Sequence, residues 1–536
     1  YADTRYLYTA RDELEEVYTS EASNSGSNAR LRETKMTYDK LGRKTKLEDN
    51  DVGVWEHGYD DAGNMAWQKN GNNQVICFYY DNLNRPLRRA ANGSSTSCPA
   101  YSASPASGGN HLASYRYGGY VPGFNNGRLI EVSWGANPTG NKDTFTYDNQ
   151  GRLKKQTRWV GGVEFSQEIV SYDVLDQPEQ FKLATGTAVE TIDIGYDQEG
   201  ANTLTAGSAM LIDAVGYNER GQLAFLGRKE TGQVPTVPDT TLSYYPAGED
   251  AFRLSGIANS GAAGLPDFAY GGYDPAGNLT PLPVGGHSYG YGYDDLNRLK
   301  SVTGAITRAY TYDYLGNFDV VTRGGTTWDY AYAPNNDTRL MGVTNLPLTV
   351  QTYDARGNLT QYTKGGVVYQ LTFDVENRLV SVKVGSVTTT FAYDADGNRV
   401  LTTHNPGASE TKVYTPFPDY EVTDPPTGAN VTRTTYRLAG QIVAIQSKTG
   451  TSAGVFYYPL ADHLGNVIAL SDLHGNLVSG SDARYDPFGA FTTTPTTNPG
   501  ISNQGFTGHR HNNTGANNLG LIYMNARYYL PEVGRF

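Results

Sequence analysis

The stretch YGYGYDDLNRLKSVTGAITRAYTYDYLGNF, residues 289 to 318, decides the fold. It holds one whole unit and the start of the next. In YGYGY the aromatic side chains recur at every second residue, the period of a β-strand whose alternate residues share a face. Asp294 follows the last of these tyrosines and starts a turn, because its carboxylate can accept the backbone N–H two residues on. Asn297 stands where other units place glycine, and after glycine it is the residue best suited to positive φ. Leu299 then opens a second strand. A looser glycine-containing turn leads back to the next pair, Tyr312 and Asp313. One unit is therefore one β-hairpin.

The unit recurs along the chain. FTYDNQGRL begins at Phe145, GYDPAGNL at Gly272, TYDARGNL at Thr352, TFDVENRL at Thr372 and AYDADGNRV at Ala392. The anchors Tyr273, Tyr293, Tyr312, Tyr332, Tyr353, Phe373, Tyr393, Tyr414, Tyr436 and Tyr457 lie 19 to 22 residues apart. Upstream, Tyr38, Tyr59 and Tyr80 are 21 residues apart, and Tyr147, Tyr172, Tyr196 and Tyr217 follow at 25, 24 and 21. Asp274 with Gly277, Asp313 with Gly316, Asp354 with Gly357, and Asp394 with Gly397 mark the expected repeat turns. So regular a period is the signature of a repeat architecture, in which each unit buries its face only against its neighbours. The expected class is all-β. Hairpins pair edge to edge in a long antiparallel ribbon, and the ribbon must curl because strands twist. Two stretches break the period and read as loop insertions: residues 20–29, and residues 91–143, in which Tyr115 and Tyr117 keep a strand.

Composition agrees with this reading. The 536 residues include 62 glycines and 41 tyrosines, the residues of tight turns and of strands. Tyrosine carries much of the apolar content. That favours a ribbon curled around an open interior, with its hydroxyls facing water or one another. A formal charge of −12 argues against a nucleic-acid partner, because phosphate binding needs a basic stripe. The apolar runs are short strands such as VFYYPLA at 455–461, so no segment is long enough for a membrane-spanning helix. Cys77 and Cys98 are the two cysteines, and both a local disulfide and two buried thiols are compatible with their spacing. The chain opens in mid-pattern and stops on Gly-Arg-Phe, so the reading expects a piece cut from something longer.

The xxYDxxGNL repeat resembles the YD repeat of the Rhs family. The segments YYPLADHLGNVIALSDLHGNLVSGSDARYDPFG (457–489) and GFTGHRHNNTGANNLGLIYMNARYYLPEVGRF (505–536) resemble the Rhs-associated core. The resemblance spans essentially the whole chain and implies two parts: a YD-repeat β-shell over 1–455 and a core domain over 456–536. It implies that tandem hairpins spiral into a hollow shell closed by the core. In bacterial Rhs proteins and the C subunits of Tc toxins, such a shell holds a variable C-terminal segment, often a toxin, that is released by self-cleavage. Wall-associated bacterial proteins and animal teneurins use the same shell at the cell surface. The implied partners are the chain's own C-terminal effector segment or a shell-completing or delivery protein, with a surface glycan for the scaffold branch. The implied location is secreted or at the cell surface.

In the toxin members cleavage is aspartyl-protease-like and falls beyond Gly-Arg-Phe, at Asp-Pro-x-Gly-Leu. Many members read Ala-Arg-Tyr-Tyr-Asp-Pro, whereas this chain has Leu530 before Pro531. A carboxylate dyad needs two acids that share a proton, and Leu530 cannot supply one. No catalytic residue is therefore expected within the chain. Arg527 is the candidate to support a downstream acid, or else it packs on Tyr528 or pairs with a core acid. Tyr523, Arg527, Tyr528, Tyr529 and Phe536 are expected to form a plug that folds back into the mouth of the shell, since large rings bury much area with few rotamers to fix.

No cofactor and no metal site are expected. His509 and His511 lie in a hairpin without a cysteine nearby. Asp394, Asp396 and Gly397 begin like a calcium loop but lack its closing glutamate. Asp486-Pro487 reads as a structural turn, and the sequons at Asn92 and Asn430 as coincidence.

Overall fold

The computed structural model describes residues 2–21, 30–102, 110–119, 125–229, 237–260, 265–284, 286–334, 338–407, 409–512 and 518–536. Most of the insertion at 20–29 therefore lies outside the described residues, as do 103–109 and 120–124 of the second insertion. Among the described residues, forty strands from Ala2 to Ser471 make one sheet. Each strand pairs antiparallel with the strand that follows it in sequence, as Ala2–Tyr8 does with Leu14–Glu21 and His287–Tyr293 with Leu299–Gly304. The ribbon expected from the repeat is thus present throughout. It runs past residue 455, through Val455–Ala461 and Val467–Ser471. Within 91–143 the strand His111–Tyr117 pairs with Pro86–Ala91 on one side and Leu129–Trp134 on the other, so Tyr115 and Tyr117 do keep a strand. Helix is confined to short turns, such as Asn498–Ile501.

The turn chemistry explains the Tyr-Asp pair. Asp294 Oδ1 accepts the backbone N–H of Leu296 at 3.0 Å and of Arg298 at 2.9 Å, while Oδ2 takes Arg298 Nε at 2.7 Å. One carboxylate thus ties down both the turn and the start of the next strand. Asn297 adopts φ 59° and Gly277 φ 93°, as the turn requires. The side-chain and backbone hydrogen bonds from Asn278 hold the Asp274 carboxyl below the usual carboxylate range. A register shift just before each such turn places the anchor aromatic, as at Gly292/Tyr293 and Thr372/Phe373.

Most anchor tyrosine hydroxyls are not left to water or to one another, although that of Tyr393 also meets the Tyr528 hydroxyl. Six of the anchors named above reach back to a carbonyl at the start of the preceding hairpin's second strand. Tyr273, Tyr293, Tyr312, Tyr332, Tyr353 and Tyr393 donate to Leu254, Leu279, Leu299, Phe318, Leu340 and Leu379 at 2.6 to 2.8 Å. The arginine that closes one turn also lies over the next anchor ring, with Arg298 4.3 Å from the Tyr312 centroid and Arg152 4.2 Å from Tyr172. The period therefore couples neighbouring hairpins along one edge of the ribbon. Tyr312→Phe should lower the unfolding free energy by about 1 kcal/mol, the net worth of one such bond. Phe373→Tyr should raise it, by supplying the hydroxyl that this unit lacks. Thermal denaturation is the check, and two variants that melt alike would remove the hydroxyl from the account.

Along strands such as Leu299–Gly304 and Arg308–Tyr312 one face is buried and the other exposed, whereas Arg399–His404 and Val467–Ser471 are buried on both. Val302 and Tyr310 are buried while Thr303, Ala309 and Thr311 are exposed. The buried faces gather into two large clusters, one joining residues 160–226 to 400–458, the other covering 302–393. The ribbon curls until residues 282 to 306 apart in sequence meet. Asp51 accepts the Thr338 hydroxyl at 2.7 Å, and Asn72 donates to Asp354 at 3.0 Å. Gly71 runs so close to this second coil that a Cβ there would sit 2.6 Å from the Ala355 carbonyl oxygen. These coil-to-coil contacts are made by side chains and turns. Among the described residues no strand ladder joins the coils, so the sheet spirals without closing into a barrel. Cys77 and Cys98 form a disulfide with a Cα–Cα distance of 5.8 Å, which ties the strand Val75–Tyr80 to the loop after Ala91 and settles the open choice.

Candidate functional site

After Ser471 the chain leaves the large sheet and folds onto its buried face. The short strands Arg510–Asn512, Leu521–Met524 and Arg527–Tyr529 pair in a small sheet of their own. Leu519, Leu521, Tyr523, Leu530 and Val533 join the apolar cluster of strands 302–393. Polar contacts pin the closing segment to the ribbon, and three that are built around arginine stand out.

The first is Arg399, which is buried. It occupies the position that holds leucine in the neighbouring units, such as Leu359 and Leu379. Its guanidinium lies 4.1 Å from the Tyr523 centroid and 5.4 Å from Phe391. Nη1 donates to Asn512 Oδ1 at 2.8 Å and to the Tyr528 hydroxyl at 3.1 Å, and the backbone N–H donates to the Tyr523 hydroxyl at 3.0 Å. Burial raises the Tyr393 and Tyr528 hydroxyls well above their usual range, so both remain protonated. The second is Asp486, held by Arg308 at 2.6 Å and Arg323 at 3.6 Å. The third is Arg535 of the Gly-Arg-Phe phrase, which reaches Asn317 at 3.2 Å, the Tyr332 hydroxyl at 3.1 Å and the Thr338 carbonyl at 2.7 Å. Lys364 adds an ion pair to Glu532 at 2.6 Å.

The expected plug residues divide. Tyr523 and Tyr529 are buried, Tyr528 is half-buried against Phe391, and the Tyr529 hydroxyl donates to the Phe488 carbonyl at 2.8 Å. Arg527 is exposed, and its guanidinium sits 3.9 Å from the Phe536 centroid rather than on Tyr528 or a core acid. Phe536 is 58% exposed and lies at the surface of the closure, not inside it. All four marked turns close through the glycine N–H and the aspartate carbonyl, at 2.9 to 3.2 Å. Asp354 and Asp394 do more, because each also binds the facing coil, through Asn72 and Arg158 respectively.

The reading of the sequence missed Arg399, Arg535 and Arg158, and it placed Asp486 in a turn, where it lies, without its two arginine partners. Arg399 alone left a signal, as the unit that breaks the leucine pattern. The ring nitrogens of His509 and His511 are engaged locally, Nδ1 of His509 with the Thr507 hydroxyl at 2.8 Å and Nε2 of His511 with the Phe506 N–H at 2.6 Å. Among the described residues no group of three possible ligands could hold a metal.

His404, on the strand that begins with Arg399, supplies a pH dependence. Burial, followed by the charge of Arg399, pushes its imidazole down to about 4, against a smaller opposing pull from Glu421. Between that value and the unfolded 6.5 the unfolded chain binds the extra proton, so stability must fall as pH falls through this window. The effect is at most about 3 kcal/mol. Chemical denaturation at pH 7 and pH 4.5 should show the loss, and His404→Gln should flatten the profile. An unchanged profile would mean that other groups govern it.

No family model matches the chain, and no curated protein matches it. Solved structures do. The TcdB2–TccC3 complex superposes with a TM-score of 0.75 at 17% identity, over 99% of this chain and 30% of that one. The fold is that of the Tc toxin shell. A TcdB2–TccC3 structure without the hypervariable C-terminal region gives 0.76 at 16% identity, over 99% and 30% of the two chains. The Photorhabdus luminescens Tc holotoxin pore, carrying a mutated TccC3, gives 0.74 at 17%, over 99% and 29%. The chain thus spans under a third of the length of the chains it matches, and at this identity the likeness is one of fold.

Proposed function

We propose that this chain is the wall and closure of a shell that encloses and delivers an effector segment lying beyond Phe536. The observation that carries the reading is the inward docking of residues 519–533 on the buried face of strands 302–393, with the segment pinned by Arg399 and Arg535. A segment joined to Phe536 would start from this closure. The comparison supports the reading because TccC3 has a hypervariable C-terminal region. In this reading the chain works with a delivery or shell-completing protein outside the producing cell. The test is a cysteine-bearing peptide fused after Phe536. Enclosure predicts slow thiol labelling that becomes fast on unfolding, whereas labelling at the rate of a free peptide would refute it.

A second reading, an extracellular scaffold that binds outward, is favoured by the turn tips. Leu41, Leu83, Leu175 and Leu296 take the third position of their turns and are more than 70% exposed. They lie on the edge of the ribbon, where another surface would meet it.

Residues 1–536 are further proposed not to cleave themselves. Leu530 packs in the apolar cluster, and the nearby acid Asp486 is bound to two arginines. Incubated protein should keep its intact mass. A discrete, time-dependent internal cut that disappears when one aspartate is replaced would show the opposite.

A further inference from the structure

A cavity of about 370 Å³ lies between the closing segment and the ribbon. Its walls are largely aliphatic, with Leu340, Leu348, Val350 and Leu371 on the ribbon side and Leu521 and Val533 on the other. The exposed residues that line it, Val52, Asn377, Ala526, Arg527 and Phe536, mark its mouth. Three arginines touch this space, and two are committed elsewhere. Arg356 binds Asp354 and the Asp374 carbonyl, and Arg535 binds Asn317, Tyr332 and Thr338. Among the described residues Arg527 has no carboxylate partner and touches only the Phe536 ring. An apolar chamber thus opens beside one uncommitted cation.

We propose that this cavity binds an aliphatic carboxylate of medium chain length. The alkyl chain fills the chamber and the carboxylate meets the Arg527 guanidinium at the mouth. The size is that of small-molecule sites, which run from ~300 to ~1,000 Å³. The aliphatic part of the lining suits an alkyl chain, and of the polar groups beside it Tyr353, Tyr528, Asn358 and Asn377 are bonded within the protein, which leaves the Tyr362 hydroxyl without a partner among the described residues. Arg527 suits a carboxylate, because a guanidinium binds one through two parallel charge-assisted hydrogen bonds.

The experiment is displacement of 1-anilinonaphthalene-8-sulfonate from the chain 1–536 by octanoate, decanoate and 1-decanol, with isothermal titration of decanoate as a direct check. Decanoate should bind saturably and about 15-fold more tightly than octanoate, from two further buried methylenes. Arg527→Gln should weaken decanoate about 10-fold, the value of one charge-assisted contact, and leave 1-decanol unchanged. Ala526→Trp, at an exposed position on the mouth, should block both ligands without moving the melting temperature. The proposal fails if decanoate shows no saturable binding up to about 1 mM, if Arg527→Gln weakens acid and alcohol alike, or if Ala526→Trp changes nothing. Binding of an acidic, leucine-rich peptide without binding of decanoate would assign the cavity to a protein ligand and overturn it as well.

Discussion

Removal of residues 505–536 is expected to give a chain that aggregates and is cut by protease within strands 302–393. The truncation takes Leu519, Leu521, Tyr523, Leu530 and Val533 out of the cluster they share with Val302, Tyr310, Val321, Tyr362 and Val382. Each large apolar side chain is worth roughly 1.5–3 kcal/mol when buried, so five of them represent on the order of 10 kcal/mol. That is comparable to the whole stability of a typical domain. The loss also uncovers Arg399 and strips it of Asn512, Tyr523 and Tyr528. What remains is an apolar face many strands wide, of the kind that recruits other chains. Size-exclusion chromatography and limited proteolysis would report the outcome. A truncated chain that stays monomeric and as resistant as the full one would mean that the closing segment merely rests on the ribbon.

The second large effect is expected at Arg158, which joins the two coils. It is buried, and it binds Asp143 of the neighbouring strand through Nε and Nη2, both at 2.7 Å. It also binds Asp394 at 3.0 Å and the Pro416 carbonyl at 2.7 Å, both on the facing coil. Arg158→Leu leaves two buried carboxylates facing each other without a cation, at an expected cost of about 3–5 kcal/mol at pH 7. Burial already raises the Asp143 carboxyl, and Arg158 is what opposes that rise. Without Arg158 the folded pKa climbs further above the unfolded one, so the folded state binds the extra proton as pH falls. The deficit of the variant should therefore shrink in mild acid, opposite in sign to the His404 effect. Adding Asp143→Asn and Asp394→Asn should recover part of the loss at pH 7. A loss under about 1 kcal/mol in urea denaturation, with no pH dependence, would show the triad to be incidental.

The ribbon was legible in the sequence because its rules are local. Tyr293, Asp294, Asn297 and Leu299 state a strand, a turn and a return strand within seven residues, and the units at Tyr273 and Tyr353 repeat the plan with Gly277 and Gly357 in the place of Asn297. The disposition of the coils was not legible, because it rests on pairs such as Asp51 with Thr338 that share no pattern and lie 287 residues apart. The role of the anchor tyrosine fell between these cases. Its period is visible, but its hydroxyl partner is a backbone carbonyl, and carbonyls carry no letter in the sequence. The closing segment shows the same division. Its aromatic density marked it as a packing element, yet Phe536 ends at the surface, while Arg399 and Arg535, charged and unremarked, hold the segment in place.

Strand pairing that runs strictly from each strand to the next makes this molecule a tape, and a tape has a mechanical grain. Tension applied at its two ends would load the side-chain contacts between coils first, since no ladder among the described residues shares the burden there. After the coils part, the sheet would peel from an end one hairpin at a time, each regular step freeing a unit of 19 to 25 residues and lengthening the chain by about 65–85 Å. The same grain runs in the direction of synthesis. A strand emerging from the ribosome finds its partner in the one just made, so the wall can be laid down continuously, before the segment that will cover it exists.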